Sequence, residues 1–247
     1  MVENKLPVFM HDKKTNEIFR EVVSCIPKKT KIHLVGGAIR NSLYYKYFKK
    51  KLPSRDYDVY IGGSPKKFIS NLRKKGFVYG KLNRKNERVV KKRKSTGAKE
   101  LKDFVFIDIH FSAEKNILKS LQKNANFTIN GFALPLEKVF SGDWYKSIIS
   151  VKNAEKDIRN RQISVNAYIH PAQLYACVRF VSHGFKPPTE KEAEGPFHLL
   201  KKLRKNQLKR NLRKVFEQTG GKMKARKIAK RMGIKEDIFS LKVIKTL

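Results

Sequence analysis

Three acidic residues stand out in a chain that is otherwise short of acids. Asp56 and Asp58 are one residue apart at the start of a β-like stretch, so alternation puts both side chains on one face. Asp108 lies between Ile107 and Ile109 in the most apolar run of the sequence. That is an expensive place for a carboxylate unless something cationic meets it. If the two strands are neighbours, three carboxylates converge, and one or two hard divalent cations such as Mg²⁺ would relieve their repulsion. Two such ions activate a hydroxyl and stabilise a departing phosphate in an in-line displacement. Each feature also has a plainer reading. Asp-x-Asp can cap a strand or line a solvated turn, and a mid-strand Asp can pair with a nearby Lys or Arg.

A second ingredient lies upstream, where Ile32-His33-Leu34-Val35 runs into Gly36-Gly37. Two glycines at a strand-to-helix junction let backbone N–H groups approach a phosphate, and the following helix offers its positive N-terminus. Arg40, one turn into that helix, adds a cation for a charge-assisted contact. A lone Gly-Gly is most often a plain turn; its interest here is its place before the acid pair.

The elements that must hold these groups follow from periodicity. Residues 1–30 read as a lead-in helix, with Ile18, Val22 and Val23 at helical spacing and Pro27 as a stop. Residues 32–35 and 57–61 are strands and residues 38–50 a helix. Ser64-Pro65 starts a helix that carries Phe68, Ile69 and Leu72 to Gly76. Weaker strands are expected at 77–79 and 87–90, a cationic loop at 91–97, the strongest strand at 104–111 and a helix near 114–123. Residues 131–143 are punctuated by Gly and Pro. From about 154 the pattern is wholly helical, broken at Pro171, Pro187-Pro188 and Gly220-Gly221. The fold class is therefore α+β: a lead-in over 1–30, a mixed-sheet domain over 31–145 and a basic helical region over 146–247. In the 38–50 helix, Tyr44-Tyr45 and Tyr47-Phe48 could stack on bases. Tyr44 and Phe48 are four apart, however, and are expected to pack on the sheet.

The 247 residues hold 57 Lys+Arg against 21 Asp+Glu, a net charge of +36. A compact cationic protein repels itself, and a polyanion relieves this with counterion release. Nucleic acid is the expected partner. An anionic membrane surface would also serve, but no clean amphipathic anchor is present and no apolar run nears the ~18 residues of a span. With 40% hydrophobic residues, 16 Phe and 9 Tyr, the chain is no disordered basic tail. Cys25 and Cys177 are isolated and His33, His110, His170 and His183 are scattered, which leaves no disulfide framework or zinc cluster. The first residues lack a secretory pattern. The expected compartment is a reducing one, the cytoplasm or an organelle matrix such as that of mitochondria. Two cationic runs are expected to track RNA phosphates without reading sequence. One includes Lys91, Lys92, Arg93 and Lys94; the other includes Lys201, Lys202, Arg204, Lys205, Lys209 and Arg210.

Several of these stretches occur together, and in order, in a known family. Leu34-Val35-Gly36-Gly37-Ala38-Ile39-Arg40, then Leu52-Pro53-Ser54-Arg55-Asp56-Tyr57-Asp58, resembles the head of class II CCA-adding tRNA nucleotidyltransferases and bacterial poly(A) polymerases. Phe127-Thr128-Ile129-Asn130-Gly131, Ala154 to Ile163 with its Asp157-Ile158-Arg159-Asn160-Arg161 centre, and Val178-Arg179-Phe180 with Gly184-Phe185 are similar to later segments of the same head and neck. The resemblance covers roughly residues 30–190. It implies a polymerase-β-type nucleotidyltransferase palm with helices on one side of the sheet, followed by a helical neck. By the same analogy Asp56, Asp58 and Asp108 hold Mg²⁺, with Asp108 accepting the proton of an attacking 3′-hydroxyl. Gly36, Gly37, Arg40, Arg55, Thr128, Asn130 and Arg179 would bind the nucleoside triphosphate. The implied activity is addition of nucleotides to an RNA 3′ end, as in tRNA processing or polyadenylation.

The departures from the pattern concern nucleotide choice. Asn41 stands where the family has Asp. Asn124-Ala125-Asn126 replaces Arg-Arg-Asp, and Ile169-His170-Pro171-Ala172-Gln173 aligns with the element that templates ATP and CTP. The body and tail of the family are mostly missing from the sequence. Two functions therefore stand at this stage: an RNA nucleotidyltransferase with altered selectivity, or a nucleotidyltransferase-like RNA-binding part of a ribonucleoprotein such as a ribosome.

Overall fold

The apolar stretches of the first half pair into one seven-stranded sheet. Its strands are β1 (Ile32–Val35), β2 (Asp56–Gly62), β3 (Val78–Asn83), β4 (Asn86–Lys92), β5 (Phe104–Ser112), β6 (Phe132–Pro135) and β7 (Ile149–Ser150), in the spatial order β3-β4-β5-β2-β1-β6-β7. β2 and β5 are parallel and the other neighbours antiparallel. The computed structural model describes residues 6–52, 56–83, 86–92, 104–167, 172–189, 191–193, 205–234 and 238–239, with 81–83, 86–92, 104 and 205 as backbone only.

Register separates the faces. Leu34 stands opposite Val59 and Leu134, and Val59 opposite Ile109; all four are fully buried. On this face Tyr57 meets Phe19, with ring centroids 4.9 Å apart, so helix α1 (Lys13–Ser24) covers it. Asp12 caps α1, its carboxylate accepting from the Thr15 N–H at 3.2 Å and the Thr15 hydroxyl at 2.5 Å. Helix α2 (Gly37–Phe48) packs on β1, β2 and β6, and α3 (Lys66–Lys74) buries Phe68, Ile69 and Leu72. Val35, Asp56, Asp58, Asp108 and His110 share the opposite face. This is an α+β fold with a mixed sheet and helices on one side, as expected.

The chain forms two compact units, one of Met1–Leu121 with Asn130–Val151 and one of Gln122–Ile129 with Lys152–Leu247. Helix α4 (Ile117–Asn124) leads from the first to the second. The second contains α5 (Ala154–Asn160), α6 (Gln173–Ser182), α7 (Lys205–Thr219) and α8 (Lys222–Arg231). Tyr175 of α6 is buried and donates its hydroxyl to the Ile238 carbonyl at 2.5 Å. Among the described residues no helix is long and apolar enough to cross a membrane.

Several elements differ from the sequence reading for local reasons. Pro7 starts a 3₁₀ turn at Val8–His11, so the lead-in helix begins only at Lys13, after its Asp12 cap. Lys91 and Lys92, expected in a loop, continue β4 because they pair with Val105 and Phe104. β6 and β7 are too short to leave a periodic signal. The stretch after 154 is not wholly helical: Val165 bridges Phe127, and Gln162 bridges Lys186, between helices.

Candidate active site

Parallel pairing of β2 with β5 places Asp58 opposite Asp108, while Asp56, opposite Phe106, lies one alternation away on the same face. Asp108 is 8% exposed. His110, two residues beyond Asp108 and so on the same face, brings its Nε2 to 2.9 Å from Asp58 Oδ1. Burial pulls the His110 pKa down. The hydrogen bond and charge of Asp58, then the charge of Asp108, outweigh that and leave it raised. With side chains 35% and 40% exposed, the pair contributes at most about 1 kcal/mol.

The diglycine turn lies against these acids. Gly36 adopts φ +70° and ψ −122°, a conformation that L side chains avoid. A Cβ there would sit 4.0 Å from Asp58 Oδ2 and 3.9 Å from the Asn130 carbonyl oxygen. The Gly36 N–H donates to the Phe132 carbonyl at 3.0 Å, which ties the turn to β6. No side chain caps the α2 N-terminus, and uncapped first-turn N–H groups are the kind of donors that anions take. Arg40 extends from this first turn. Its Nε and Nη2 donate to Asn41 Oδ1 at 3.0 and 2.8 Å, and its Nη1 donates to Asn130 Oδ1 at 2.5 Å. Asn41, 2% exposed, also donates from Nδ2 to the Leu52 carbonyl at 3.4 Å. An Asp could not make that last bond, which gives the departure at position 41 a local reason.

Thr128 and Arg179 lie in the second unit. The Thr128 hydroxyl donates to Asp157 Oδ2 at 2.6 Å, both residues being buried, so it fastens the Phe127–Ile129 segment to α5. Arg179 Nη1 reaches Gln218 Oε1 at 3.4 Å, and burial lowers its pKa. Two of the positions that depart from the family pattern are bonded to each other, and a third is held by Asn166. Gln173 Nε2 donates to the Asn126 carbonyl at 2.8 Å, and Asn166 Nδ2 to the Ala125 carbonyl at 2.7 Å.

Carboxylate oxygens are the donors that a hard divalent cation takes, so the residue types at 56, 58 and 108 fit Mg²⁺. The side chains themselves are not gathered. Among the described residues no three His, Cys, Asp or Glu side chains form a group able to hold a metal ion. The acids share a face rather than one coordination sphere. Like charges repel across neighbouring strands, and one oxygen of Asp58 is engaged by His110.

Lys91 and Lys92 lie on β4, Lys205 opens α7, and Lys209 and Arg210 are exposed on α7. Arg55, Arg93, Lys94, His170, Lys201, Lys202 and Arg204 fall outside the described residues. Sequence reasoning missed three participants. His110 could have been found from its i+2 spacing to Asp108. Asn41 was noted only as a departure. Asp157 lies within the Asp157–Arg161 stretch of the resemblance, but nothing in the sequence ties it to Thr128.

No protein-family model and no curated protein matches the sequence. Solved structures do. The Thermotoga maritima CCA-adding enzyme complexed with tRNA superposes with a TM-score of 0.65 at 18% identity, over 90% of this chain and 52% of that one. A CCA-adding enzyme with CTP gives 0.68 at 19% identity, over 94% and 53%. A tRNA nucleotidyltransferase complexed with a primer tRNA and an incoming ATP analogue gives 0.58 at 17% identity, over 87% and 63%. The chain thus spans about half to three-fifths of the length of these structures. Over that length it shares the fold of these CCA-adding enzyme structures, a mixed sheet followed by basic helices.

Proposed function

We propose that the protein is a metal-dependent RNA nucleotidyltransferase that adds nucleotides, AMP from ATP foremost, to an RNA 3′ end. The carrying observation is the Asp58–Asp108 register pair, with Asp56 on the same face and the uncapped Gly36-Gly37 helix start against Asp58. Asp56, Asp58 and Asp108 would hold Mg²⁺ by turning toward it once its charge offsets their mutual repulsion; bound there it would make the attacking hydroxyl more acidic and offset phosphate charge. The α2 N–H groups and Arg40 orient the triphosphate. The RNA 3′-oxygen forms a bond to the α-phosphorus as the bond to the β-phosphate oxygen breaks; pyrophosphate leaves and Asp108 takes the hydroxyl proton. tRNA is the favoured acceptor, since two of the similar structures contain it. The Gln173–Asn126 and Asn166–Ala125 bonds commit the altered segments to backbone support, which favours relaxed or shifted base choice. Product lengths distinguish CCA-type addition from polyadenylation. The buried thiols Cys25 and Cys177 suit a reducing compartment, the cytoplasm or an organelle matrix.

The test is extension of an RNA 3′ end with labelled ATP and Mg²⁺. Wild type should extend it and Asp58→Asn should not, with RNA affinity unchanged. The net charge of +36 favours a second reading, a ribonucleoprotein component. That reading takes over if wild type and Asp58→Asn bind RNA equally and both are inert.

A further inference from the structure

The other end of α2 carries a second cluster. It lies about 18 Å from Gly37 along the helix, at the 1.5 Å rise per residue. There Tyr45, Lys46 and Lys49 line a half-open pocket with His11, Trp144 and Tyr145. Lys46 Nζ sits 3.7 Å from the centroid of the Tyr145 ring, and Lys49 Nζ 5.9 Å from that of Tyr45. The His11 ring meets Tyr45 edge-on at 5.6 Å, and Trp144 meets Tyr145 at 6.2 Å. Tyr145 is 40% exposed, the one large aromatic side chain so displayed among the described residues. His11 Nε2 is buried without a hydrogen-bond partner among the described residues. Lys46, Lys49, Lys50 and Lys51 are all exposed here.

These groups select among polyanions. A membrane surface needs a contiguous apolar face, and this is a concave site rimmed by ammonium groups. An acidic peptide would use the lysines but not the ring faces. A nucleotide uses both: the base stacks on an aromatic ring, and a phosphate meets one of the lysines held over the rings. We infer that the lysine-and-tyrosine rim of this pocket docks one nucleotide of a single-stranded RNA segment, an anchoring subsite separate from the acid face. It rests on RNA being the bound polymer, but not on nucleotide transfer.

Trp144 is the only tryptophan of the chain and reports on the pocket directly. An oligo(A) hexamer should quench its emission with saturation, and a poly-glutamate peptide of equal charge should not. Lys46→Glu/Lys49→Glu should weaken hexamer binding at least about tenfold more than the equally charged control Lys66→Glu/Lys67→Glu, also exposed. Tyr145→Ala, which leaves charge unchanged, should weaken it by roughly tenfold; this variant decides the matter if the double-Glu protein fails to fold. Unaltered emission at saturating RNA, equal losses in the two charge-reversed pairs, or equal quenching by poly-glutamate would each overturn the inference. Asp58→Asn should keep the quench intact, so failure of the transferase reading is separately visible.

Discussion

The two ends of α2 do different things with one helix. At the N-terminal end the chain enters through Gly36, with no side-chain cap, and backbone N–H groups point past the turn that lies against Asp58. At the C-terminal end it stops at Lys49, in the left-handed conformation at φ 55°, whose N–H donates to the Tyr45 carbonyl at 2.8 Å. The helix field favours anions at the first end and cations at the second. On the function proposed above, the first end recruits phosphate with backbone, fixed in place and intolerant of change. The second collects lysine side chains because the field suits them, and those side chains then become the phosphate-seeking groups. A backbone site is broken by conformation, whereas a side-chain site is broken by charge.

Gly36→Ala should have the largest effect. The new Cβ meets only ordinary contacts at 3.9 and 4.0 Å, so the cost is conformational, about 1–3 kcal/mol, read as a fall in denaturant midpoint. Triphosphate binding should be lost with it, while the Trp144 quench by RNA should persist; loss of both would merge the two ends into one site. A smaller effect comes from His33, on the strand that feeds the turn. Burial lowers its pKa, ahead of the opposing charge of Glu137 and the assisting charge of Lys31. The unfolded chain therefore binds the proton more readily, and this residue costs stability as pH falls below about 6.5. His33→Phe should flatten that part of the pH–stability curve, measured by chemical denaturation between pH 7.5 and 5; an unchanged slope would move the effect elsewhere. Lys49→Gly should be the mildest and opposite in sign. It should raise stability by about 0.5–1 kcal/mol by relieving the left-handed lysine, and lower the salt slope of RNA binding by about one unit. A stability gain with an unchanged slope would remove Lys49 from the RNA contact.

The acid-bearing strands were legible in the sequence because Val59, Ile61, Ile107 and Ile109 alternate with the polar residues that face the other way. The helix start after Gly36-Gly37 was legible for the same kind of reason, a local backbone demand that one residue type meets. What was not legible is who stands beside whom. The Asp58–His110 contact joins residues 52 apart and depends on β2 and β5 being parallel. The Arg40–Asn130 bond spans 90 residues, and Asn130 lies beside a strand too short to show a period. Thr128 and Asp157 each look unremarkable alone; only the packing of α5 makes the hydroxyl a clasp. Local chemistry left its mark in residue types, and long-range pairing left none.

The parallel pairing of β2 and β5 also sets an order of assembly. β3 and β4 lie between these strands in the chain but at one edge of the sheet in space, so the sheet centre closes only around that long excursion. Non-local closures of this sort are slow relative to helix formation. A nascent chain cut before Phe104 holds α1, α2 and the β1–β2 pair, with Asp58 opposite Val35 but without Asp108 beside it. Both the Asp108 neighbour of Asp58 and the Phe132 carbonyl that fastens the turn come from chain beyond that cut, so the two halves of the candidate site are completed only after β5 and β6 are made.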